Sequence, residues 1–284
     1  MAGAAHVAHA VLLATPSEGS MTGFVSMLRG ARIGLRSVSP LVLFTMPSCY
    51  EMLPAPGDPV FVDRSGAACA LDLYNPETRV SHRWSIYDPD LGKTFRTECD
   101  RVFGRRAAQA YDEKYDEWRK YLGAVLLRAR RFHAAVAADK QFTVPVEYHI
   151  FGGDCRSTVN RSVVLTSAGV VSTSSWKRPD GMSRGEFKAL VMAPGDGRVV
   201  QTSVAGQATS TGPRPSEPSL KGASLDWSCV AHDRIQDDAQ VQRRVLAILR
   251  AEELSPITRF ESAGNQAPPA RSLRPRTPLH TRAR

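Results

Sequence analysis

No apolar run in this sequence approaches the ~18 consecutive residues that a membrane-spanning helix needs, so no transmembrane segment is predicted. The five cysteines, Cys49, Cys69, Cys99, Cys155 and Cys229, are scattered and odd in number. They form no C-x-x-C pair and no Cys/His spacing suited to zinc, so neither a disulfide framework nor a metal site is expected. The dinucleotide fingerprint G-x-G-x-x-G, the P-loop and the H-E-x-x-H zinc motif are missing, which leaves nucleotide and zinc-protease chemistry without support and predicts no cofactor. No Lys or Arg precedes the apolar stretch from Ala8 to Ala14, and Thr15-Pro16-Ser17-Glu18-Gly19 follows where a signal cleavage site would need small residues. The stretch therefore reads as a buried strand, and the protein as cytoplasmic. His6 and His9 lie close together, but no acidic or sulfur partner accompanies them, so a loose N-terminus is expected there.

What is present is a globular composition: 284 residues, 42% of them apolar, suffice for a sizeable core. The net charge of +9 is unevenly placed, because residues 256–284 hold six Arg against one Glu. That proline- and arginine-rich tail cannot bury enough surface to offset chain entropy and is expected to be disordered. The body is nearly balanced, so nucleic acid is not an expected partner; an anionic ligand, if bound at all, would be met by the tail.

Ala10-Val-Leu-Leu-Ala14, closed by Thr15-Pro16, suits a parallel strand with neighbours elsewhere in the chain. Residues 20–54 read as two amphipathic helices, and Val60 to Tyr74 as a small hairpin around Arg64-Ser65-Gly66. Residues 93–138 contain no proline, and Tyr111, Tyr115, Trp118, Leu122, Val125 and Leu126 recur at helical spacing. One long helix or two are predicted, with the aromatic stripe read as core rather than as a lipid-binding cleft. Val144 to Phe151 is a second sheet strand, Val163 to Val171 a hairpin around Ala168-Gly169, residues 203–224 a long loop, and Asp237 to Leu249 a closing helix.

Two polar residues stand out. Asp196 lies between Gly195 and Gly197, which permit a sharp turn at a strand end, and His232 follows the short apolar run Leu225 to Val230. An acid in a glycine-flanked turn, then a histidine, then a helix is the order of the last two members of a Ser-Asp-His triad in an α/β-hydrolase. The one G-x-S-x-G string is Gly181-Met182-Ser183-Arg184-Gly185. The polar Trp176-Lys-Arg-Pro-Asp180 precedes it where an elbow needs a buried strand, and Ser183 is too close in sequence to Asp196 for a sheet-top nucleophile. Ser183 with Glu186 reads instead as a capping box.

Several segments, in order, resemble lipases and acyltransferases of the lecithin:cholesterol acyltransferase type, bacterial members of the α/β-hydrolase superfamily. Ala10-Val-Leu-Leu-Ala-Thr-Pro-Ser-Glu-Gly-Ser20 is similar to the strand and G-T-P-x-x-G-S turn that follow their nucleophile region. Met46-Pro-Ser-Cys-Tyr-Glu-Met-Leu-Pro54, Asp58-Pro-Val-Phe-Val-Asp63 with Asp72-Leu-Tyr-Asn-Pro76, and Trp84-Ser-Ile-Tyr-Asp-Pro89 resemble cap segments. Pro194-Gly-Asp-Gly-Arg-Val199 is similar to the G-D-G-T-V acid motif, with Arg198 for the usual Thr, and Ala14 stands for the usual Gly. The resemblance covers roughly residues 8–252.

It implies an α/β fold: a partial α/β-hydrolase sheet from residues 1–19 and 141–252, a large, mainly helical cap over 20–140, and the disordered basic tail at 253–284. It implies ester hydrolysis or O-acyl transfer on lipid-like esters, with His232 as general base then acid and Asp196 orienting it. The serine belongs to a front half that the matched segments do not include, so the expectation is of a truncated chain inactive alone. The alternative is a non-catalytic interaction protein or the partner of a separate N-terminal half.

Overall fold

The computed structural model describes residues 6–137, 146–167, 170–207, 218–220 and 222–250. Strand β1 (His9–Leu13) ends at Ala14, whose φ of 50° is left-handed, a conformation that crowds any β-carbon. The Ala14 N–H donates to the Phe151 carbonyl, and the chain leaves the sheet through Thr15–Gly19. At Gly19 (φ 75°) a β-carbon would lie 1.9 Å from the Leu53 carbonyl oxygen, so only glycine fits. Ser20 caps helix α1 (Met21–Arg29) by accepting from the Thr22 N–H, and its hydroxyl donates to the Arg198 carbonyl, tying this cap to the Asp196 turn.

The segment expected to form two helices holds three. Gly30 (φ 87°) stops α1, and the short antiparallel strands β2 (Ala31–Ile33) and β3 (Arg36–Val38) intervene before α2 (Pro40–Phe44) and α3 (Pro47–Glu51). Pro40 and Pro47 sit in first turns, where the missing N–H is no loss. Strand β4 (Phe61–Val62) enters a turn in which Asp63 Oδ1 accepts from the Ser65 and Ala67 N–H groups. The expected hairpin shrinks to a single bridge, Val62 to Ala68, because Tyr74 is held by the Leu53 and Pro54 carbonyls rather than by a ladder.

Helix α4 (Pro76–Ser81) is followed by α5 (Pro89–Phe103) and α6 (Ala107–Ala137), a helix pair broken at Gly104 (φ 54°). On α6, Leu122, Val125, Leu126 and Ala129 are buried, Trp118 stacks on Phe95 with centroids 4.0 Å apart, and Phe44 packs beside Trp118. The aromatic stripe is core. It joins a cluster in which Trp84 stacks on Phe61 and meets Phe24 edge-on; each such buried ring contributes about 1.5–3 kcal/mol.

Strand β5 (Glu147–Gly153) pairs in parallel with β1, His9 opposite Glu147 through Leu13 opposite Phe151. Next come β6 (Arg156–Val159), the hairpin β7 (Ser162–Ser167) and β8 (Val170–Ser174), α7 (Arg184–Val191), β9 (Met192–Gly195), antiparallel to β6, and α8 (Gln201–Val204). Strand β10 (Ser224–Ser228) lies parallel to β5 on its other side, giving the order β1-β5-β10. Helix α9 (Ala239–Leu249) closes this part, capped by Asp238. The fold is mixed α/β with parallel and antiparallel sheets, and among the described strands β1 has only β5 as a neighbour. No described helix is long and apolar enough to cross a membrane. The predicted disordered tail, the turn at Ala168-Gly169 and much of the predicted 203–224 loop fall outside the described residues; α8 occupies the start of that loop.

The cysteine expectation is corrected. Cys155 and Cys229 form a disulfide with Cα atoms 5.1 Å apart. Each follows the end of one of two adjacent parallel strands, so the pairing of β5 with β10 brings together sulfurs separated by 74 positions.

Candidate functional site

Strand β9 ends at Gly195, and the turn after it closes so tightly that a β-carbon on Gly195 would stand 2.3 Å from the Val199 carbonyl oxygen. Gly197 takes a φ of 97°, which a side chain would strain. Within the turn, Asp196 Oδ1 accepts from the Arg198 N–H at 2.8 Å and the Val199 N–H at 2.7 Å, and Thr158 Oγ1 accepts from the Gly197 N–H at 2.8 Å. This is an Asx turn, in which the acid's own side chain organises the backbone around it. Asp196 is buried, and its other oxygen, Oδ2, faces His232.

His232 opens a short 3-10 turn, His232–Asp237, shortly after β10. Its backbone N–H donates to the Asp196 carbonyl at 3.0 Å, and its Nδ1 lies 2.9 Å from Asp196 Oδ2. One residue thus holds the histidine through both main chain and side chain. Against a carboxylate, which only accepts, the ring presents Nδ1–H and keeps its lone pair on Nε2. Among the described residues the ring has no other hydrogen-bond partner, and a third of the side chain is exposed. The pair sits at the carboxyl ends of β5 and β10, where ligands of parallel α/β sheets bind. A base so oriented can take a proton from a hydroxyl while the buried carboxylate stabilises the imidazolium.

Ser183 is elsewhere. It caps α7 in a full capping box: its Oγ accepts from the Glu186 N–H, and Glu186 Oε2 accepts from the Ser183 N–H at 2.7 Å. These bonds hold the Glu186 carboxyl below its usual range. No hydrogen bond among the described residues links Ser183 to His232 or Asp196. Sequence reasoning missed Thr158 and Gly153, which position the acid turn, and Cys155 and Cys229, which join the ends of β5 and β10. Its only available signal was that Cys229 directly follows a strand and Cys155 lies two residues past the end of another.

A second polar group occupies the opposite end of the sheet. His9 Nδ1 lies 3.3 Å from Glu147 Oε2 and 3.3 Å from His149 Nε2, and the His149 and Glu147 atoms are 4.0 Å apart. Such a set can hold a metal ion. The expectation that His9 lacks an acidic partner is therefore corrected, since Glu147 stands opposite it in the parallel register. Burial, with His9 adjacent and Arg244 adding to it, pushes His149 below the usual histidine range; Glu147 and Asp226 pull the other way.

Compared with known proteins, the chain matches no family model and no curated protein.

Proposed function

We propose that Asp196 and His232 are the acid and base of a serine-hydrolase relay built on a partial α/β-hydrolase sheet, and that the protein serves hydrolysis or transfer of acyl groups from lipid-like esters. The observation that carries this reading is the 2.9 Å contact between His232 Nδ1 and a buried carboxylate at the carboxyl ends of two adjacent parallel strands. The resemblance of Ala10–Ser20 and Pro194–Val199 to lipases of the lecithin:cholesterol acyltransferase type supports it. In the mechanism, His232 Nε2 takes the hydroxyl proton of a serine as its oxygen attacks the ester carbonyl, then returns that proton to the leaving alkoxide. The serine would come from polypeptide beyond the described residues, on a strand laid along the side of β1 that no described strand occupies. The Cys155–Cys229 bridge supports an oxidising compartment over the cytoplasm expected from sequence.

Ester hydrolysis and fluorophosphonate labelling of the full chain, alone and with any polypeptide that pairs with β1, test the proposal. Loss of hydrolysis by about 10³-fold or more in His232→Ala and in Asp196→Asn, with Ser183→Ala fully active, is the expected pattern. Hydrolysis indifferent to His232→Ala removes the assignment, and labelling lost in Ser183→Ala alone moves the nucleophile to α7.

A further inference from the structure

The amino end of the parallel sheet carries a group of side chains that the proposed relay does not use. His9 begins β1, and Glu147 and His149 are the first and third residues of β5. Because side chains alternate along a strand, Glu147 and His149 share a face, and His9, in register with Glu147, joins them. Ser224, in register with His149 on β10, completes the row. We infer that His9 Nδ1, His149 Nε2 and Glu147 Oε2 form a binding site for one divalent transition-metal ion of the zinc class, with water as the remaining ligand.

The spacing carries the argument. A tetrahedral zinc ion with bonds of about 2.0–2.1 Å sets its ligand atoms roughly 3.3–3.4 Å apart. Two of the three separations are 3.3 Å, and the third, 4.0 Å, ends on the exposed and adjustable Glu147. The second observation lies behind the ligands. His149 Nδ1 is 3.1 Å from Ser224 Oγ, a partner that can accept from Nδ1–H and so leave the Nε2 lone pair for the centre. Metal-bound histidines are oriented in just this way by an outer partner. Two imidazoles and a carboxylate also select zinc-class ions over calcium or magnesium, which prefer oxygen. The nearest further charges, Asp226 and Arg244, are paired at 3.1 Å, so the Asp226 carboxylate is already engaged beside the site. A bound ion would pin β1 to β5 at the end of the sheet remote from His232, which makes it a structural site rather than a source of activated water for the relay.

The test is titration of the chelator-treated full-length protein with Co(II), followed by displacement with Zn(II). One equivalent of cobalt should give the visible absorption of a four-coordinate nitrogen and oxygen site, and zinc should abolish it at one equivalent. His9→Gln and Glu147→Gln, both at accessible side chains, should each weaken binding more than tenfold while leaving the circular dichroism unchanged. Ser224→Ala, which removes only the outer partner, should weaken it about tenfold with the cobalt spectrum kept. Zinc should raise the melting temperature of the parent protein and not of His9→Gln. Absence of cobalt uptake at hundred-micromolar metal, uptake unchanged in His9→Gln, or thiolate-to-cobalt charge-transfer bands placing the ion on Cys49, Cys69 or Cys99 would each overturn the inference.

Discussion

A β-carbon on Gly153 would stand 2.5 Å from the β-carbon of Asp196 and 2.6 Å from the Val230 carbonyl oxygen. The end of β5 touches the acid turn on one side and the His232 loop on the other. Gly153→Ala must therefore push these segments apart, and overpacking of this kind destabilises by about 1–3 kcal/mol. Denaturant melts and the His232 Nδ1 proton resonance should register the change together. A variant with parental stability and an unmoved resonance would show that the contact can relax.

Ala14 offers an unusual balance. Left-handed backbone costs an alanine about 1–2 kcal/mol, whereas glycine gives back roughly 0.5–1 kcal/mol through the unfolded chain and loses a buried methyl of about 0.8 kcal/mol. Ala14→Gly should change stability by less than about 1 kcal/mol. Ala14→Val, a branched side chain in the same conformation, should lose about 2 kcal/mol or more. Equal losses in the two variants would mean that the backbone at this position carries no strain.

The Cys155–Cys229 bridge closes a loop of 74 positions, for which chain entropy gives about 4.5 kcal/mol at most. Replacing both cysteines by serine should lower the melting temperature and accelerate amide exchange at Asp154 and at residues 229–232. Unchanged exchange there would show that strand pairing alone holds the strand ends together.

Burial pushes His133 below the usual histidine value of 6.5, with main-chain groups of Leu53 and Glu51 and the Glu51 carboxylate acting in the other direction. Its folded pKa is thus lower than its unfolded one, so the unfolded chain binds more protons between the two values. The stability linked to His133 is full above pH 6.5 and is lost as pH falls through the depressed folded value. Urea midpoints should drop as pH goes from 7 to 5, and the drop should shrink in His133→Phe. An equal slope in both proteins would assign the acid sensitivity to other groups.

Much of the fold could be read locally. The capping box follows from Ser183 and Glu186, and strands β5 and β10 from short apolar runs, whereas the pattern over residues 93–138 leaves one helix or two open, because Gly104 ends a helix and Gly123 is carried inside one. The acid turn was legible because Gly195, Asp196 and Gly197 are contiguous and their geometry is their own. What escaped depends on register. The disulfide and the His9, Glu147 and His149 group exist only because β5 lies between two partners whose alignment no local pattern states. The β2–β3 hairpin was hidden for another reason: three-residue strands rich in arginine show too little alternation to separate from a helix end.

The two oxygens of Asp196 do different things, one shaping the turn and the other meeting His232. Arm length and ionic character are consequently tested apart at this position. Glutamate keeps the charge but adds a methylene that the turn cannot take up, and asparagine keeps the reach but sets an amide against the ring. Both replacements commonly counted as mild are expected to be severe here, and for unrelated reasons.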